Sequence, residues 1–194
     1  MRSLRFLASL APLLSLAAFL PAPPVAAQVP DSVLFHPGQW GVDFRIGSGF
    51  AGAGALHFTS PTHATFLDLS GGYNHTSNTA AALRISNLTG ALSLGRRAYH
   101  RVDPHIYRWT TSGFTFVYNR QSSTQDTVSQ TTRGVGAGVF VNVGGTWLVT
   151  PHLGLGAQWQ ADLTYTHNRT SPRTTSDIVT VGLARVALTG QFYF

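Results

Sequence analysis

The sequence predicts an all-β chain, an up-and-down antiparallel transmembrane β-barrel of about eight strands, and three observations carry that expectation. The first is Leu153–Thr166. Leu153, Leu155, Ala157, Trp159, Ala161, Leu163 and Tyr165 alternate without a break with Gly154, Gly156, Gln158, Gln160, Asp162, Thr164 and Thr166. Strict period-two alternation gives a strand one apolar and one polar face. At about 3.3 Å per residue such a strand runs roughly 45 Å, beyond the usual soluble strand, and tilted by about 45° it covers a bilayer core of about 30 Å. The second observation is composition: all thirteen basic residues are Arg, all seven acidic ones are Asp, and Lys and Glu, two good helix formers, are absent. The third is that alternation recurs along the chain between connections that are long and polar or short and proline-containing.

In order, Arg2 and Arg5 precede an apolar run from Phe6 to Leu20 and a small-residue ending at Val25-Ala26-Ala27. That pattern describes a secretory signal peptide over 1–27, cleaved after Ala27. Residues 28–38 (QVPDSVLFHPG) form an N-terminal lead, and 39–194 form the barrel. Strand one sets Trp40, Val42, Phe44 and Ile46 against Asp43 and Arg45. Ser48–Gly54 is Gly-rich and is expected to turn the chain. Strand two is weaker, with Leu56 and Phe58 on one face before Ser60-Pro61-Thr62. Strand three carries Leu67, Leu69 and Tyr73 opposite Phe66, Asp68 and Ser70.

Asn74–Ala80 reads as a polar loop. Strand four follows, with Leu88, Leu92 and Leu94 on one face; Leu83 and Ile85 have the wrong parity, which suggests a bulge near Ser86 or a later start. Strand five carries Phe114, Phe116 and Tyr118, and Gln121–Thr132 is a second polar loop. Strand six sets Val135, Ala137, Val139, Val141 and Val143 opposite Gly134, Gly136 and Gly138. Strand seven is the opening stretch, and His167–Asp177 is a third polar loop. Strand eight ends the chain with Val186, Leu188, Phe192 and Phe194 on the even face, while Val179, Val181 and Leu183 above them are odd. Long loops on one side and short turns holding Pro61, Pro104 and Pro151 on the other fit a membrane barrel with extracellular loops and periplasmic turns. The same topology gathers Trp40, Tyr99, Trp109, Trp147, Phe192 and Phe194 near one interface and Tyr73, Tyr118 and Tyr165 near the other, as two aromatic girdles.

The formal charge of +6 is spread as scattered Arg residues in an exported chain, which weighs against nucleic-acid binding. With no cysteine, no disulfide holds the fold, and a barrel closed in lipid does not need one.

The C-terminus, Leu188-Thr-Gly190-Gln-Phe192-Tyr-Phe194, resembles the terminal signal of bacterial outer-membrane barrels, with Phe194 and Phe192 matching its two aromatics and Gly190 one place from the usual glycine. With the leader and the strand pattern, the chain resembles the small eight-stranded outer-membrane proteins of the OmpA-barrel and OmpX type. The resemblance implies an outer-membrane location, Phe192 and Phe194 as the membrane-insertion signal, and the barrel-assembly machinery as a partner.

Small barrels are filled by side chains. Parity points Asp43, Arg45, Asp68, Gln158, Asp162 and Arg185 inward, as a polar network that either plugs the barrel or lines a narrow ion path. Arg120, Arg133, Arg169 and Arg173 sit at extracellular strand ends or loops, where guanidinium groups suit the phosphates of lipopolysaccharide. None of the eight histidines has a metal-ligand spacing, so no metal or other cofactor is expected. His75-Thr76-Ser77-Asn78 resembles the His-x-Ser-Asn stretch of lipid A deacylases, with Asp68 as the nearest carboxylate, although that motif lies late in the family's barrel. The expected function is a structural, surface-adhesive or narrow-pore role without catalysis, in a monomer. Two alternatives stand beside it: a lipid A-modifying enzyme using His75 and Ser77, and a secreted, soluble lipocalin-like barrel with its apolar face turned inward.

Overall fold

Alternating faces become inside and outside once the strands close on themselves. The structure is a computed structural model that describes residues 35–78, 83–125, 128–171 and 174–194, the side chains of 183 and 184 excepted. The expected leader at 1–27, the start of the lead and Arg173 lie outside the described residues. Eight strands follow in order: β1 (Trp40–Gly47), β2 (Phe50–Ser60), β3 (His63–Asn78), β4 (Leu83–Asp103), β5 (Ile106–Gln125), β6 (Val128–Thr150), β7 (Leu153–Ser171) and β8 (Thr174–Tyr193). Each pairs antiparallel with the next, and β8 returns to β1 between Gly41↔Tyr193 and Gly47↔Ala187. Backbone bonds between Trp40 and Phe194, at 3.1 and 3.0 Å, extend that seam to the last residue.

The apolar face lies outside. Leu69, Phe114, Val139, Leu163, Val186 and Leu188 are exposed, whereas Asp43, Arg45, Asp68, Gln158 and Asp162 are buried. This inverted barrel satisfies its backbone through strand pairing and offers hydrocarbon to its surroundings, which is the requirement for spanning a membrane. It excludes the soluble lipocalin-like alternative, whose apolar face would be inside. Tyr73, Tyr118 and Tyr165 are exposed toward one end and Trp40, Trp147, Phe192 and Phe194 toward the other, as girdles require. Tyr99 and Trp109 are not girdle residues. Their parity turns them inward, where they are buried.

Three sequence expectations change. The polar stretches read as loops are mostly strand: β3 runs to Asn78, β5 to Gln125 and β7 to Ser171. Their Thr and Ser residues suit a pleated backbone and bond across it, as Thr132 Oγ1 does with Thr170 Oγ1 at 2.9 Å. The Gly-rich stretch after β1 is likewise strand from Phe50 onward, and the turn is only Ser48-Gly49, with Gly49 at φ 79°. A two-residue hairpin of this kind needs a residue that accepts positive φ. In β4 no bulge occurs near Ser86: pairing with β3 and β5 is continuous from Leu83, so Leu83 and Ile85 keep the inward parity. The irregularity sits in β8 instead. Gln160 pairs with Arg185 but Asp162 with Gly182, so two residues of β8 oppose the single Ala161. That bulge switches the parity of β8 and puts both Val186 and Val181 on the outer wall.

Because β1 and β2 turn back at Ser48-Gly49, the wall has unequal height. Pairing of β2 with β3 stops at Ala51↔Gly71, and pairing of β1 with β8 stops at Gly47↔Ala187. Beyond those points β3 and β8 continue without a described neighbour on that side. The end with the short turns is therefore an eight-strand ring, and the opposite end is a six-strand wall with a notch.

Candidate functional site

The aromatic cluster at the base is built around Phe35, from the lead. It stacks on Phe58 at 4.4 Å between ring centroids and meets Tyr99, Tyr107 and Tyr193 at 5.0, 5.4 and 4.9 Å. Those partners lie toward the short-turn ends of β2, β4, β5 and β8, so one ring packs between four of the eight strands. Nothing in the sequence marked Phe35, since the lead has no period.

Above this stopper lies the polar network. Arg45 pairs with Asp68, two inward residues that the sequence placed in one network without pairing them, and Asp43 pairs with Arg97 at 2.7 Å with both side chains fully buried. Arg97 is the member that sequence reasoning missed. Its signal was present, because Ser93 and Gly95 already carry the inward parity of β4 and Arg97 follows in step. The guanidinium also donates to Thr111 Oγ1 at 2.9 Å and lies 4.0 Å from the Trp109 ring and 4.7 Å from the Phe66 ring. Further bonds tie the walls together: Trp109 Nε1 donates to Thr146 Oγ1 at 3.0 Å, Thr146 to Gln191 Oε1 at 2.9 Å, and Gln191 Nε2 to Asp43 Oδ2 at 3.4 Å. The pair offsets part of the cost of desolvating its charges, with Asp43 Oδ1 and Arg97 Nη2 left without a hydrogen-bond partner among the described residues, whereas either charge alone would be strongly unfavourable.

The remaining predicted members divide. Gln158 is buried, but neither amide atom has a hydrogen-bond partner in the protein. Asp162 is buried and Arg185 approaches it at 3.6 Å, yet the Arg185 side chain is about half exposed. The bulge explains the difference, because it lifts β8 out of register beside Arg185 at the foot of the notch. Arg185 belongs to the edge of the network and not to its interior.

The opposite rim carries the other predicted group. Arg120 pairs in register with Arg133, and Arg133 with Arg169, so three exposed arginines stand side by side on β5, β6 and β7. They lie just beyond the Tyr118 and Tyr165 girdle. Among the described residues none of the three has an ion-pair partner. A cleft of about 1080 Å³ beside them is lined by Tyr118, Arg133, His167, Arg169 and Thr174. Next to it His167 Nδ1 and Asp177 Oδ1 are 2.6 Å apart. The hydrogen bonds from His167 and then Tyr165 hold the Asp177 carboxyl below its usual value of 3.8.

The deacylase-like grouping does not assemble. His75 Nδ1 meets Ser86 Oγ at 2.9 Å, and Asp68 is inside the barrel on Arg45. Among the described residues no carboxylate meets His75, the third part that such a Ser–His pair needs.

Strand number, closure and inverted faces find their match among solved structures. A major outer membrane protein from Thermus thermophilus superposes with a TM-score of 0.57 at 11% identity, covering 80% of this chain and 98% of that one. This chain has the fold of the small outer-membrane barrels. The N-terminal β-barrel domain of Pseudomonas aeruginosa OprF gives 0.52 at 11% identity, covering 82% of this barrel's chain and all of the domain. No protein-family model and no curated protein matches the sequence.

Proposed function

We propose that this chain is an integral outer-membrane barrel with a sealed interior, which acts non-catalytically at its outer rim by holding the phosphates of lipopolysaccharide. The observation that carries the reading is the in-register row Arg120–Arg133–Arg169. Like charges directly opposite one another on neighbouring strands repel, and a row of this kind is favourable when a multivalent anion lies across it. Guanidinium groups bind phosphate oxygens bidentately, and the level just beyond the tyrosine girdle is where headgroup phosphates sit. Arg173, two residues after Ser171 in the sequence, is proposed as a fourth contact. In this reading Phe192 and Phe194 serve the barrel-assembly machinery as the insertion signal.

The filled base supports a sealed barrel over a narrow pore, because Phe35 and its four aromatic partners occupy the mouth through which ions would leave. The test is lipopolysaccharide co-purification with an Arg120→Ala, Arg133→Ala, Arg169→Ala variant, checked for folding by its migration on a gel with and without boiling. Loss of most bound lipopolysaccharide is expected. Unchanged co-purification from a folded variant would overturn the rim assignment.

A further inference from the structure

Another arginine, Arg96, faces outward nearer the short-turn end of the wall. On β6 the outer column reads Val135, Ala137, Val139, Val141, Val143 and Trp147, apolar throughout. On β5 the residues in register with Val141 and Val143 are Ser112 and Thr110, and on β4 Arg96 lies beside Ser112. On β3 the neighbour of Arg96 is Thr65. Thr65, Arg96 and Ser112 thus form one exposed polar row across three strands, at a level where β6 presents valine. Directly above, Leu67, Leu94, Phe114, Val139, Leu163 and Val181 make an unbroken apolar row. An open groove of about 850 Å³ runs along this wall, with Thr65, Arg96 and Ser112 at its polar end and Leu94, Phe114 and Leu163 along it.

An outward charge within the apolar belt of a barrel is destabilising unless it reaches a polar partner. Among the described residues Arg96 has no ion pair, unlike Arg97 beside it, which is buried on Asp43. A cation flanked by two hydroxyl donors, at the foot of an apolar groove, matches a phosphate bearing acyl chains.

We propose that the β3–β5 wall binds a phospholipid of the leaflet beside the short turns, which is the periplasmic leaflet of an outer membrane. Arg96, Thr65 and Ser112 hold its phosphate, and one acyl chain lies in the groove above them. This site stands apart from the rim row, which faces the opposite leaflet, so either assignment can fail without the other.

The experiment is native mass spectrometry of the detergent-solubilised barrel, in the Arg120→Ala, Arg133→Ala, Arg169→Ala background so that the rim does not contribute. Dioleoyl phosphatidylglycerol is the probe, and dioleoylglycerol, with the same chains and no phosphate, is the control. One retained phosphatidylglycerol is expected, with the bound fraction falling at least roughly five-fold in Arg96→Leu and retention of the control weak in both. Arg96→Gln serves as a second variant, and the boiling shift on a gel shows which variants are folded. Absence of a retained phospholipid, equal retention by the Arg96 variants, equal retention of dioleoylglycerol, or a mass of two copies in place of lipid would each overturn the proposal.

Discussion

The two ends of this barrel use the same alternating strands to opposite effect. At the short-turn end, β1 and β2 complete an eight-strand ring, and its interior is filled by large side chains: Phe35 among four aromatics, Arg97 on Asp43, Arg45 on Asp68. At the far end β1 and β2 are missing, the inner face of β6 is Gly134, Gly136 and Gly138, and β8 is exposed on both faces at Ile178, Val179 and Val181. A closed ring excludes water and makes each buried contact count. An open wall leaves backbone edges and weaker contacts, and is free to carry polar residues. Dense packing thus gathers at the base and exposed arginines at the rim.

The largest expected effect comes from breaking the base. Arg97→Ala strands Asp43 in a dry interior and should cost about 3–5 kcal/mol. Urea titration of the barrel in lipid vesicles checks it, and a change below about 1 kcal/mol would mean that the base is not organised by this pair. Phe35→Ala should cost about 3 kcal/mol through lost packing. In planar bilayers it should also convert a silent protein into one with measurable conductance, whereas steady conductance in the unaltered protein would end the sealed-base reading.

The contrast itself is sharpened by amide hydrogen exchange. Amides of β3 beyond Gly72 and of β8 from Thr174 to Val186 should exchange roughly tenfold or more faster than those of β1 and of β8 from Ala187 onward; uniform protection would show that the notch is covered. Arg185→Ala, at the foot of the notch, should cost under about 1 kcal/mol, because its partner is 3.6 Å away and its own side chain is half in solvent.

Smallest is a pH effect at the rim. The Asp177 carboxyl is held below 3.8 by His167 and Tyr165, so its contact is fully present above the unfolded value and is lost only as pH falls through the lower folded value. A carboxyl titration by NMR in detergent micelles should place its midpoint below 3.8. A midpoint at or above that value would show the His167 contact to be absent in solution.

Much of this was legible in the residues. Leu153–Thr166 specified its own strand and its two faces, because a period of two allows only two faces and one of them is apolar; that the apolar one turns outward was decided by the closed barrel. Asp43, Arg45, Asp68, Gln158 and Asp162 were legible for the same reason: a polar residue on the inward parity of a barrel strand has nowhere else to go. Arg97 could have been read by extending the parity of Ser93 and Gly95. Parity also turned Arg185 toward Asp162, but its half-exposed place could not be read, because the notch beside it depends on where β1 and β2 turn back.

Strand count and the two-faced character of the strands are written in the chain itself, since both follow from local alternation and strand length. That a phenylalanine outside any strand seals the base, and that a short hairpin leaves a notch, emerges only when the barrel is assembled. Assembly alone aligned Arg120, Arg133 and Arg169, and likewise Thr65, Arg96 and Ser112, across neighbouring strands. These features rest on register between residues far apart in the chain, and register is set by closing the whole barrel at once.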